Sequence, residues 1–192
     1  METLYPILET LRDFVAKADQ LGIGYMVTGS FAMSAYGAIR YTRDIDIIVQ
    51  LELQKAAAFA NAFADEYYVS DISIRRAIDR RSMFNIVNLE TGEKIDCIIY
   101  KDTEFARASY ARRFKAHVAG IDFWTTTKED LVVAKLNWAR ESHSETQIRD
   151  IANLTADEYD SSYVTSWIKA LGLEPVWDEV ERWKILHEKS EN

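Results

Sequence analysis

Gly24-Tyr25-Met26-Val27-Thr28-Gly29-Ser30, followed by Asp44-Ile45-Asp46-Ile47-Ile48-Val49, decides how this chain reads. The first stretch is a short apolar strand ending in a Gly-Ser turn. The second is an apolar strand that opens with two carboxylates. Side chains i and i+2 of a strand point to the same face, so Asp44 and Asp46 stand side by side. Two close carboxylates repel each other, and a divalent cation relieves that repulsion. Gly29 lets backbone approach a phosphate, and Ser30 is placed to cap the helix expected from Ser30 to Ala38, whose first N–H groups attract anions. Gly37 ends that helix, and Arg40-Tyr41-Thr42-Arg43 leads into the acidic strand.

A bland reading competes with this one. Asp-x-Asp can be a solvated pair protecting a sheet edge, and Gly-Ser can be a helix cap and nothing more. Ile45, Ile47, Ile48 and Val49 argue against it, because a strand this apolar is central and two acids on it need a reason.

The order strand, Gly-Ser, helix, strand with Asp-x-Asp resembles the nucleotidyltransferase superfamily of DNA polymerase beta-like proteins. Arg40, Thr42, Asp44 and Asp46 make the form Arg-x-Thr-x-Asp-x-Asp, most similar to the AbiEii-type branch, which includes toxins of toxin–antitoxin systems. The resemblance implies an α/β (α+β) fold, a mixed sheet flanked by helices with a helical region after it. It also implies magnesium (or manganese) as cofactor and a nucleoside triphosphate as substrate. Gly29, Ser30, Arg40 and Thr42 fall at the nucleotide, and Asp44 and Asp46 at both metal ions.

A third carboxylate is expected from a neighbouring strand. Residues 83–89 and 94–100 read as a β-hairpin around Glu90-Thr91-Gly92-Glu93. Asp96 sits within Ile95, Cys97, Ile98 and Ile99, where an unpaired acid is costly. By family role it holds the catalytic metal and takes the proton of the attacking hydroxyl. Asp122, after Gly120 in what reads as a turn, is its rival; an Asp96 pointing out of an edge strand is the bland alternative.

Composition sets outer bounds. With 192 residues, 48% hydrophobic and 28% charged, the chain has enough apolar material for a globular domain and a modest appendage. No apolar run approaches the ~20 residues that span a bilayer, so no membrane partner is expected. Glu2, Glu9, Asp13 and Asp19 argue against a signal peptide, and a single cysteine, Cys97, fits a reducing cytoplasmic setting. His117, His143 and His187 lack zinc-ligand spacing, so oxygen ligands and a hard metal are the better expectation. A net charge of −8 excludes a broad basic surface, so any nucleic-acid contact must be local.

Elsewhere the sequence predicts an amphipathic helix over 2–20, a helix over 51–64, a short strand at 67–69 and a short helix over 72–80. One or two strands are expected over 114–124. From Thr127 the signal is helical: a capping-box variant at Thr127 and Asp130, then helices over 145–154 and 160–171, a stop at Gly172, and a further helix from Pro175. The expected division is a core over 1–125 and a helical region over 126–192, packed on the core. Glu129-Asp130-Leu131, Lys135-Leu136, Trp138 and Gln147-Ile148-Arg149-Asp150-Ile151 resemble the helical region of AbiEii-like relatives. That resemblance assigns Lys135 to the triphosphate; alternatively Lys135 snorkels from an apolar helix. Asp150 is expected either to orient Lys135 or Arg140 or to pair at the surface.

Arg75, Arg76, Arg80 and Arg81 form the dense basic cluster, either a grip on phosphate or a solvated face with local pairing to Asp79. The five tryptophans read as packing groups rather than a base-stacking platform. The resulting expectation is an enzyme that moves a nucleoside monophosphate onto an acceptor hydroxyl of RNA or tRNA, a protein or a small molecule. Its partner would be an antitoxin or a second copy. Two alternatives share the fold: a non-catalytic nucleotide- or protein-binding partner, and an antibiotic-modifying nucleotidyltransferase.

Overall fold

The computed structural model describes residues 5–37, 42, 44–142 and 144–188. The described residues fall into two compact units: one comprises those of Met1–Ala35 and Ile39–Thr126, the other those of Tyr36–Ala38 and Thr127–Asn192. Arg40 and the expected helix end at Ala38 lie outside the described residues.

The first unit is built on seven strands: β1 (Gly24–Thr28), β2 (Asp44–Gln50), β3 (Tyr67–Tyr68), β4 (Met83–Asn88), β5 (Lys94–Ile99), β6 (Phe114–Val118) and β7 (Ile121–Thr125). They form one mixed sheet in the order β3-β4-β5-β2-β1-β7-β6. β2 is therefore central, as its isoleucines require. It runs antiparallel to β1 and parallel to β5, and β4 and β5 are the expected hairpin. Residues 114–125 resolve into two antiparallel strands joined by a turn at Ala119 and Gly120.

Period two sorts the central strands into two faces. Ile45, Ile47, Val49, Ile95, Cys97 and Ile99 are buried on one. α1 (Tyr5–Gln20) and α3 (Ala56–Phe63) bring Phe14, Phe59 and Phe63 into a continuous aromatic cluster with Tyr25, Tyr67 and Phe84. Ring centroids in this cluster lie 4.6–5.9 Å apart, in mostly tilted and edge-on geometries that suit the ring quadrupoles. The opposite face carries Asp44, Asp46 and Asp96.

Two helices differ from the sequence expectation. After Gly29 the chain makes only a four-residue helix, α2 (Gly29–Ala32), and then tightens into a 3-10 turn over Met33–Tyr36. The cap position is Thr28, and Ser30 lies inside the first turn. The second is α5 (Glu104–Arg112), which periodicity does not reveal because it buries only Ser109 and Tyr110. α4 (Asp71–Arg80) starts on a Ser70 cap and ends with Arg81 in the left-handed region.

The second unit contains α6 (Lys128–Ser142), α7 (Glu145–Leu154), α8 (Ser161–Leu171) and α9 (Glu174–Glu188). Leu131, Val133, Leu136, Ile151, Val164, Ile168 and Val180 form its core. Thr127 accepts the Asp130 amide at 3.2 Å, and Gly172 ends α8 with φ +63°. Among the described residues, no helix is long and apolar enough to cross a membrane.

Candidate active site

Strand register assembles the acidic face. Asp46 on β2 lies level with Asp96 on β5 and with Thr28 on β1, and Asp96 lies level with Asn85 on β4. Directly paired residues share a face, so Thr28, Asp46, Asp96 and Asn85 form a row across the sheet. One step along β2 and β5, Asp44 pairs with Lys94. The three carboxylates named from the sequence thus stand on one face of two adjacent parallel strands. Asp122 does not join them: it lies on β7, exposed, with an oxygen 2.7 Å from His117 Nδ1 across the β6–β7 hairpin.

The three acids differ in environment. Asp44 is about half exposed, Asp46 is partly buried, and Asp96 is only 8% exposed. One Asp96 oxygen, Oδ2, receives the Lys94 ammonium at 2.9 Å. The other, Oδ1, is buried and has no hydrogen-bond partner among the described residues. A buried carboxylate oxygen left unpaired is costly, and such an orphan asks for a cation or a proton donor.

Lys94 is the residue that the motif analysis passed over. Its Nζ also lies 3.7 Å from Asp44 Oδ1. The hydrogen bond to Asp96, reinforced by the charges of Asp96, Asp44 and Asp46 and opposed by partial burial, holds its pKa above the ordinary lysine value. Among the described residues, no three carboxylate, histidine or cysteine side chains gather on a single point where one ion could sit. The strands set the trio, and the ammonium stands between two of its members.

Gly29 has a φ of +64°, and a Cβ built on it would fall 2.6 Å from Asp46 Cγ and 2.8 Å from Asp46 Cβ. The Asp46 carboxylate therefore lies against the glycine itself, closing the Gly-Ser turn onto the acidic strand. This contact follows from Thr28 pairing with Asp46, which the sequence does not display. Thr42 acts on the same strand: its hydroxyl donates to the Asp44 carbonyl at 3.0 Å and accepts the Asp44 amide at 3.3 Å, which fixes where β2 begins.

Lys135 belongs to the second unit. It is 4% exposed and donates to Asp150 Oδ2 at 2.9 Å and to Gln147 Oε1 at 3.1 Å. Of the basic cluster, Arg75 pairs with Asp71 at 2.7 Å rather than with Asp79, and Arg81 reaches the Tyr100 carbonyl at 3.4 Å.

No family model and no curated protein matches the chain. Solved structures do. An antigenic nucleotidyltransferase-like protein from Paracoccidioides brasiliensis aligns over 90% of this chain and 91% of its own, with TM-score 0.53 and 16% identity. A candidate nucleotidyltransferase from Thermotoga maritima aligns over 77% and 93%, with TM-score 0.51 and 15% identity. The lincosamide adenylyltransferase LnuA, in a lincomycin-bound structure, gives TM-score 0.47 and 14% identity over 81% and 96%, too loose a likeness to carry an argument. At these identities the likeness is one of architecture: the chain has a nucleotidyltransferase-like mixed α/β fold.

Proposed function

We propose that this chain is a metal-dependent nucleotidyltransferase that moves a nucleoside monophosphate from its triphosphate to an acceptor hydroxyl and releases pyrophosphate. The observation that carries the proposal is the row in which Asp46 stands level with Asp96, with Asp44 beside them and the Gly29 turn closed against Asp46. By chemistry the donors would suit a hard divalent ion, with three carboxylates on one face and a buried oxygen lacking a partner among the described residues, though the three do not converge on one point in this structure. Asp44 and Asp46 would hold two ions, and Asp96 the catalytic one. When bound, magnesium or manganese supplies charge neutralisation for the attacking and leaving oxygens.

The remaining work falls to the chain. Asp96, in its apolar strand, would accept the proton of the acceptor hydroxyl. The Gly29-Ser30 turn offers backbone and hydroxyl groups to the phosphates. Thr42 fixes the start of β2, so that Asp44 and Asp46 are aimed by rigid backbone rather than by a loop. Arg40 is assigned to the nucleotide by its place in the motif alone. Lys135, assigned by resemblance to the triphosphate, is held by Asp150 and Gln147.

The AbiEii-type reading adds the class of acceptor: RNA, tRNA or a protein, in a toxin paired with an antitoxin. The antibiotic-modifying reading makes the acceptor a small molecule. The test is incubation with each of four α-32P-labelled nucleoside triphosphates and Mg2+, with RNA, protein and aminoglycoside or lincosamide acceptors in parallel. Label transferred to one acceptor class by wild type and not by Asp46→Ala supports the proposal. Wild-type transfer by Asp46→Ala would refute the site assignment.

A further inference from the structure

The geometry points to Lys94 as a resident cation of the acidic site, one that occupies the place of a divalent ion and must be displaced when that ion binds. The inference rests on the metal-dependent reading above and deepens it.

Three observations support it. Register puts Lys94 level with Asp44 and two residues from Asp96 on its own strand, so the lysine is aimed at the acidic face by the sheet itself. Its ammonium bridges Asp96 Oδ2 at 2.9 Å and Asp44 Oδ1 at 3.7 Å, two oxygens that a metal ion would need. The side chain is one-third exposed, and its flexible four-carbon stem leaves it a route to solvent.

Charge explains both its presence and its weakness. Three neighbouring carboxylates repel, and an ammonium among them lowers that repulsion without any ion. The Lys94 ammonium reaches Asp96 Oδ2 and Asp44 Oδ1, and Asp96 Oδ1 stays without a partner among the described residues. A divalent ion with several oxygen ligands neutralises the trio better, so it wins the exchange at sufficient concentration. Lys94 therefore stabilises the metal-free protein and weakens metal binding at the same time.

The test is calorimetric titration of MnCl2, without nucleotide, into wild type, Lys94→Met, Lys94→Arg and Asp46→Asn, with thermal unfolding of each in EDTA and in Mn2+. Lys94→Gln accompanies Lys94→Met in case the methionine variant does not fold. The expected result is Mn2+ binding on the order of tenfold tighter in Lys94→Met, since the ion pair that the exchange must break, an ammonium 2.9 Å from a carboxylate oxygen, is worth about that much even in the dielectric of water. Lys94→Arg should stay within a few-fold of wild type. Lys94→Met should unfold earlier than wild type in EDTA and gain more from Mn2+. Equal or weaker binding by Lys94→Met, with Asp46→Asn losing binding, would overturn the role of Lys94 and leave the metal site intact. No binding by wild type or any variant would overturn both readings.

Discussion

Gly29→Ala is the most revealing single change in the first unit. The alanine would have to hold φ +64°, a left-handed conformation that costs a residue with a Cβ about 1–2 kcal/mol. Its methyl would also meet Asp46 Cγ at 2.6 Å and Cβ at 2.8 Å, inside any real carbon–carbon contact. Asp46 sits on a central strand paired on both sides, so it relieves the clash by turning its carboxylate rather than by moving backbone. The expected total loss is about 2–4 kcal/mol, the conformational part plus a coupling in the range seen for residues in contact. Urea unfolding of wild type, Gly29→Ala, Asp46→Ala and the double variant closes a cycle. Asp46→Ala removes Cγ and leaves Cβ, so the double variant should recover part of the loss, about 1 kcal/mol or more. Additivity within about 0.5 kcal/mol would show that Asp46 is not what the glycine accommodates.

Other outcomes follow from the rest of the molecule. Lys135→Met and Asp150→Asn should each cost about 3–5 kcal/mol in urea unfolding, because each removes one charge of a buried ion pair whose side chains are at most 4% exposed; replacing both with apolar residues should recover much of it. Phe63→Ala should cost about 3–5 kcal/mol, since its ring packs against Phe14, Phe59 and Tyr67 with no exposure. Burial pushes the Cys97 thiol far above its ordinary range, so it stays protonated at pH 8. A thiol reagent should titrate one sulfhydryl in guanidinium and essentially none in the native protein, and rapid native labelling would contradict the packing of β5.

The sequence exposed what period two and short motifs encode. The alternation along residues 44–50 places Asp44 and Asp46 on one face and buries Ile45, Ile47 and Val49 on the other, and apolarity alone marks β2 as central. Asp96 was legible for the same reason, as an acid in a strand too apolar to be an edge. Lys94 was not, because a lysine at the start of a strand looks like ordinary edge protection until register sets it beside Asp44. The Gly29–Asp46 contact is likewise a property of strand pairing, which local sequence does not carry. α5 escaped because so little of it is buried, though Thr103, whose hydroxyl accepts the Ala106 amide at 3.2 Å, is a start signal that could have marked it. The Lys135–Asp150 pair spans two helices, and spacing alone does not reveal which face of each meets the other.

The central claim is that this acidic face binds a nucleoside triphosphate through a divalent ion. The most direct measurement is thermal unfolding with Mg2+ and each of ATP, GTP, CTP and UTP, on wild type and Asp46→Ala. At one hundred times its dissociation constant, a ligand stabilises by about 2.7 kcal/mol, on the order of 5–10 °C for a chain of this size. The expected result is a shift of that order with at least one nucleotide, dependent on Mg2+ and absent in Asp46→Ala. No shift with any nucleotide, or an equal shift in Asp46→Ala, would contradict the claim.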